Sequence, residues 1–143
     1  MGEFLPELKC TLGEELLWPT RIYVKTIQKL LGKYKVKKIV KAMAHVTGGG
    51  LAGNVPRVLP EGYSVRLKRE GWMAPPIFGW LQARGPVDLE EMYSVFNMGI
   101  GFVLVVRPTF TKAIMTHLRT LGEKPYFLGK VRKGAGEASL EWS

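Results

Sequence analysis

Apolar residues recur at helical spacing in two stretches of the chain and alternate cleanly in one. Ile27, Leu30 and Leu31 share a helical face that should end at Gly32. Ile114, Met115, Leu118 and Leu121 do the same for a helix capped by Thr109 and stopped by Gly122. Residues 63–67 alternate as a half-buried strand should, directly after the turn residues Pro60, Glu61 and Gly62. Residues 102–106 are apolar without alternation, the pattern of a strand buried on both faces.

The intervening segments give weaker signals. Residues 22–24 suggest a brief extended piece, and 36–44 a helix running into a strand that ends near Val46. Pro75 and Pro76 precede 77–82 as a helix entry. Asp88 is a natural N-cap for 89–93, with Glu91 completing a capping-box pattern. Residues 126–132 and 138–142 flank Gly134, Ala135 and Gly136 as a closing hairpin would. Residues 1–18 lack clear periodicity and read as a lead-in to a domain over 19–143. A strand buried on both faces needs helices on each side, so the expected fold is α+β: a three-layer α/β/α domain with a mixed sheet.

Composition changes this picture little. The 143 residues suit one soluble domain with its own core. The apolar run 99–106 is about half what a membrane span needs, and the N-terminus carries acidic residues where a signal peptide is basic. The expected location is cytoplasmic. Cys10 stands alone and the two histidines, His45 and His117, are far apart, so no metal site is expected on this chain. A net charge of +9 favours an anionic partner. Lys29, Lys33, Lys37 and Lys41 recur every four residues, either as a solvated face or as a basic stripe. Only Tyr34 interleaves there for base stacking, which makes nucleic acid the lesser alternative.

The sharpest local feature is His45-Val46-Thr47-Gly48-Gly49-Gly50-Leu51. Consecutive glycines are entropically costly, so a folded chain keeps them for positive φ, for close packing, or for approach of a ligand to bare backbone. Their N–H groups can converge on an anion; a tight packing turn is the equal alternative. Pro56 limits any helix that follows to a short one. A second glycine turn, Asn97-Met98-Gly99-Ile100-Gly101, leads into a strand rather than a helix and does not fit a dinucleotide fingerprint. Met92, Met98 and Met115 read as core filler.

Four segments in order resemble the C-terminal domain of the phosphoribosylformylglycinamidine cyclo-ligases (aminoimidazole ribonucleotide synthetases). They are residues 19–25 (PTRIYVK), 45–51 (HVTGGGL) with 54–57 (NVPR), 76–82 (PIFGWLQ) and 91–101 (EMYSVFNMGIG). The resemblance implies ATP-dependent closure of the imidazole ring in purine biosynthesis. ATP activates the formamide oxygen of formylglycinamidine ribonucleotide, an amidine nitrogen attacks, and phosphate leaves. It further implies that ATP and Mg²⁺ are held mainly by an N-terminal domain missing here, and that the complete enzyme is a homodimer with its cleft between domains. The partners expected are that ATP-binding domain and a phosphorylated purine precursor, with no cofactor on this chain alone.

Carried over by position, Thr47, Gly48, Gly49 and Gly50 would hold the substrate phosphate. Arg21, Asn54, Arg57, Asn97 and Met98 would line the substrate cleft, and His45 is a proton-transfer candidate. Without its partner the chain should be inactive. The alternatives are a stand-alone domain binding a phosphorylated metabolite, and a superfamily relative such as selenophosphate synthetase or the hydrogenase-maturation protein.

Overall fold

The structure, a computed structural model, describes residues 2–35, 38–134 and 139–143. Phe4–Leu5 (β1) and Cys10–Thr11 (β2) form a short antiparallel ladder, followed by the helix Leu12–Leu16 (α1). Thr11 and Glu14 make a reciprocal capping box: the Thr11 hydroxyl accepts from the Glu14 N–H at 3.2 Å, and the Glu14 carboxylate accepts from the Thr11 N–H at 2.8 Å. The lead-in therefore has structure of its own. Its signal was the Thr-x-x-Glu spacing rather than any apolar stripe, because α1 buries no residue.

Helix α2 (Val24–Lys33) begins where an extended piece was expected and runs through Gly32. A glycine costs a helix interior only about 1 kcal/mol. Leu30, fully buried against Ile39 and Ile114, holds the last turn in place. Residues 38–39 are not helical, and strand β3 is Val40–His45; Val36 and Lys37 of the expected helix lie outside the described residues. Lys29 and Lys33 thus sit on a helix and Lys41 on a strand, so the four lysines are not one helical stripe.

The chain continues through α3 (Gly50–Asn54), a 3₁₀ turn entered by Pro56, and β4 (Tyr63–Leu67). Helix α4 (Pro76–Arg84) has proline at its first position, where no N–H is needed. Helix α5 (Leu89–Val95) is capped by Asp88, whose carboxylate accepts from the Glu90 N–H at 3.1 Å. That is a simple cap, not the reciprocal box through Glu91. Strand β5 (Phe102–Val106) leads to a 3₁₀ turn, Pro108–Phe110, that absorbs Thr109, so α6 (Thr111–Thr120) starts later and without a side-chain cap. Gly122, at φ +84°, closes α6 as expected.

The sheet differs from expectation. Among the described residues the strands fall into two separate sheets besides the β1–β2 ladder; the three-stranded one is mixed as expected, but it does not continue into the other. Strands β3 and β5 pair antiparallel, His45 opposite Phe102 and Val40 opposite Val106, with a bulge between Val40 and Ala42. The other sheet has the order β6–β4–β7, with β6 at Gly129–Lys133 and β7 at Ser139–Trp142. The expected closing hairpin is absent among the described residues: β6 pairs antiparallel and β7 parallel with opposite edges of β4. Strand β5 is half-buried along its whole length rather than covered on both faces.

The main core gathers Val46, Leu51, Val55, Val65, Leu67, Trp72, Met92 and Ile100. The Trp72 indole N–H donates to the Met98 carbonyl at 2.8 Å, tying the β4–α4 connection to the turn before β5. Arg69 lies over the rings of Tyr93 and Trp142, at 5.1 and 5.2 Å from their centroids, and pairs with Glu90, so α5 and β7 share one cation. Among the described residues no helix is long and apolar enough to cross a membrane.

Replacing Trp72 with Phe leaves the buried Met98 carbonyl without its donor. The expected cost is about 1–3 kcal/mol, measured as a lowered urea midpoint with an unchanged slope.

Candidate functional site

Antiparallel pairing of β3 and β5 brings the C-terminal end of one beside the N-terminal end of the other. The ladder runs one step past the strands, the Val46 N–H donating to the Gly101 carbonyl at 2.9 Å. Both glycine turns, 47–50 and 97–101, therefore emerge at the same end of this sheet. Segment 19–23 lies across that end, with the Tyr23 ring 5.2 Å from that of Phe102 and 6.1 Å from that of His45. A side chain at Gly101 would collide with the Tyr23 hydroxyl, which explains a glycine at the strand entrance. Burial raises the Tyr23 phenol's pKa, with the Arg21 guanidinium pulling partly the other way, so the hydroxyl stays protonated at neutral pH.

Segment 18–23, the end of β3 at His45 and Val46, and the 97–101 turn enclose a shallow hollow of about 250 Å³, which the glycine run 47–50 adjoins in sequence but does not line. Arg21, His45 and Asn97 all line it, beside Trp18 and Tyr23. Each is locally fixed. Arg21 pairs with Glu123 at 2.9 Å, and Glu123 also accepts from the Thr26 hydroxyl at 2.9 Å. Asn97 Oδ1 accepts from the Gly99 N–H at 2.9 Å. Glu123 and Tyr23 were not anticipated from the sequence: Glu123 lies past the end of α6, and only the fold carries it back to Arg21. The hollow is smaller than the roughly 300–1,000 Å³ of ordinary ligand sites. It has the character of one wall.

The remaining candidates divide. Met98 points into the main core, 5% exposed, and offers the site none of its side chain. Arg57 is exposed on the 3₁₀ turn and does not line the hollow. Asn54 is buried at 7% exposure, and its Nδ2 lies 2.8 Å from the Gly50 carbonyl, 3.2 Å from that of Gly48 and 3.4 Å from that of Thr47. Its amide is spent on shaping the loop.

That arrangement fixes where the loop's donors point. In a trans peptide the C=O and the following N–H are antiparallel. With the Thr47 and Gly48 carbonyls drawn inward to Asn54, the N–H groups of Gly48 and Gly49 face outward; neither has an acceptor among the described residues. Gly50 is different. Its N–H donates to the Thr47 carbonyl at 3.1 Å, its φ is +57°, and a Cβ would sit 2.5 Å from the Tyr93 carbonyl oxygen and 2.6 Å from that of Phe96. The glycine run therefore divides: Gly50 packs backbone on backbone, while Gly48 and Gly49 present open amides. Among the described residues no three His, Cys, Asp or Glu side chains gather as metal ligands would.

Comparison with known proteins agrees with the segments gathered here. Residues 3–140 match the family model described as AIR synthase related protein, C-terminal domain. A phosphoribosylformylglycinamidine cyclo-ligase of Geobacillus thermodenitrificans is 46% identical over 136 residues, covering 95% of this chain and 38% of that protein. Its namesakes in Desulfitobacterium hafniense and Bacillus subtilis are each 51% identical, over 88% and 87% of this chain and 36% and 35% of their own lengths. The chain thus spans little more than a third of these relatives.

The glycines should separate on mutation. Gly50→Ala forces a Cβ against two carbonyls at positive φ and should cost about 2 kcal/mol or more. Gly48→Ala, whose Cβ would meet nothing within 4 Å, should stay within about 0.5 kcal/mol of the parent. Denaturant titration of the two variants measures both.

Proposed function

This chain belongs to the family of AIR synthase related proteins as a C-terminal domain, and from that premise we propose that it is the substrate-side half of a phosphoribosylformylglycinamidine cyclo-ligase. Its catalytic cleft closes only against an ATP-binding N-terminal portion. The observation that carries this reading is an exposed apolar stretch bordering the hollow: Leu17, Trp18 and Ile22 are 83, 81 and 80% exposed, with Leu16 and Val24 beside them. So many large apolar side chains within nine residues suit a surface meant to be covered. The covering domain would supply the second wall the shallow hollow lacks.

Within that cleft the residues take distinct tasks. The outward N–H groups of Gly48 and Gly49 hold the ribonucleotide phosphate, with Thr47 exposed beside them. Arg21, fixed by Glu123, supplies positive charge in the hollow, and His45, exposed against Tyr23, is the group positioned to exchange a proton. Asn54 acts at one remove, by orienting the loop. ATP with Mg²⁺ supplies phosphoryl activation when bound by the complete enzyme. This chain's part is to hold the substrate where that activation can reach it.

Alone, the chain should not convert formylglycinamidine ribonucleotide when given ATP and Mg²⁺. Mixed with the N-terminal portion of the Bacillus subtilis cyclo-ligase, it should form a complex and recover turnover. Turnover by the chain alone, or no complex and no activity in the mixture, would reject the half-enzyme reading. The phosphate assignment is tested in the reconstituted enzyme by Gly48→Val. That position is preferable to Gly49, whose φ of +89° would strain any replacement. The variant should raise KM for the ribonucleotide about tenfold, equivalent to ~1.4 kcal/mol, with thermal stability unchanged. An unchanged KM would make the glycine run purely a packing device.

A further inference from the structure

A more voluminous cleft lies between the two sheets and adjoins the hollow, sharing Arg21, Tyr23, Gly99 and Gly101 with it. It measures about 1,230 Å³ and is lined by all five residues of β5 and by Gly129, Lys130 and Val131 of β6. Successive strand residues point to opposite faces, so a cleft touching every residue of β5 must run along the strand's edge. Among the described residues strand β5 pairs only with β3, and β6 only with β4. Both therefore turn an unpaired edge toward the same space.

The hydrogen-bond phase identifies the free groups. Beyond the strand ends, Gly101 and Arg107 bond toward β3, through the Val46 N–H to the Gly101 carbonyl and the Arg107 N–H to the Ile39 carbonyl, each 2.9 Å. Antiparallel pairing alternates, so Phe102, Leu104 and Val106 direct their N–H groups into the cleft. On the other side the Lys68 N–H donates to the Leu128 carbonyl and the Gly134 N–H to the Gly62 carbonyl, each 2.9 Å. By the same alternation Gly129, Val131 and Lys133 are the outward donors of β6. The cleft is walled by Met115 and Leu118 of α6, Val65 and Phe127, and carries Lys112 and Lys124 at its rim.

We propose that an extended strand from the portion of the full-length enzyme preceding the matched region inserts between β5 and β6, joining the two sheets into one with the order β3–β5–insert–β6–β4–β7. This rests on the half-enzyme reading and deepens it, naming a second point at which the absent portion engages this chain. The relatives' greater length provides the occupant, since this chain spans only 35–38% of them. The chemistry specifies it: apolar on both faces, to lie against Met115 and Leu118 on one side and Val65 on the other, with carboxylates flanking it to meet Lys112 and Lys124. A second copy of this chain fits less well, because it would bring those lysines against their own kind.

The test uses overlapping synthetic peptides tiling the part of the Bacillus subtilis cyclo-ligase that precedes its matched region. One peptide should bind and slow amide exchange at least tenfold at Phe102, Leu104, Val106, Gly129 and Val131, while Val103 and Val105 change little. Leu104→Pro removes one cleft-facing N–H and leaves the β3 ladder donors in place, a substitution edge strands tolerate. It should abolish binding; equal binding by this variant would overturn the proposal, and if it fails to fold, the exchange pattern of the parent chain decides alone. The complex with the whole N-terminal portion separates the two readings. Restored activity with the β5 and β6 amides still exchanging as in the free chain would defeat strand insertion and leave the half-enzyme reading standing. Loss of both complex and activity would defeat both. Protection of these amides in the free chain through self-association would assign the edges to a second copy and overturn the proposal.

Discussion

The antiparallel register of β3 against β5 is the constraint on which the rest of the site depends. Because His45 lies opposite Phe102, the turns on either side of that pair leave the sheet together. A slip of one residue would move His45 to the opposite face, and Gly101 would no longer lie under Tyr23. The apolar character of Ala44 and Val46, buried on one side while Met43, His45 and Thr47 face solvent, fixes that register against slippage. Local patterning and long-range placement therefore specify the same geometry.

Burial in the site is divided between shape and chemistry. Asn54 is the one buried polar residue among those described, and its amide is directed at loop carbonyls rather than at a ligand. Such a group is retained when its bonds are all made inside the protein. The outcome is a loop whose inner face is saturated and whose outer face carries unused donors. A reader of the glycine run alone sees three equivalent residues, whereas the fold gives them two different environments.

Much of the architecture was legible because it is written in short-range signals. Helices α4 and α6, strands β4 and β5, the Asp88 cap and the Gly122 stop all follow from neighbours within a turn or two. The misreadings share a different cause. Gly32 does not end α2 because Leu30 meets Ile39 and Ile114 from distant segments. Residues 126–142 do not close as a hairpin because β4, more than sixty positions earlier, takes both strands. The three-layer expectation rests on the apolar run in β5, which reports that the strand can be covered but not by what. For the site, the family resemblance supplied Arg21, His45 and Asn97, which line one hollow in the fold. For Met98 the core-filler reading holds and the cleft-wall one does not, and nothing local could show that Glu123 returns to Arg21.

Trp18 stands almost wholly in solvent at the margin of the hollow, while Trp72 is enclosed in the core. An indole's emission follows the polarity around it, so the two rings, told apart from Trp80 and Trp142 by single Trp→Phe variants, would report on different events. Changes at Trp18 would track occupancy of the seam, and changes at Trp72 the integrity of the interior. The ring that solvent surrounds most fully is thus also the one placed to give the proposed assembly an optical signal.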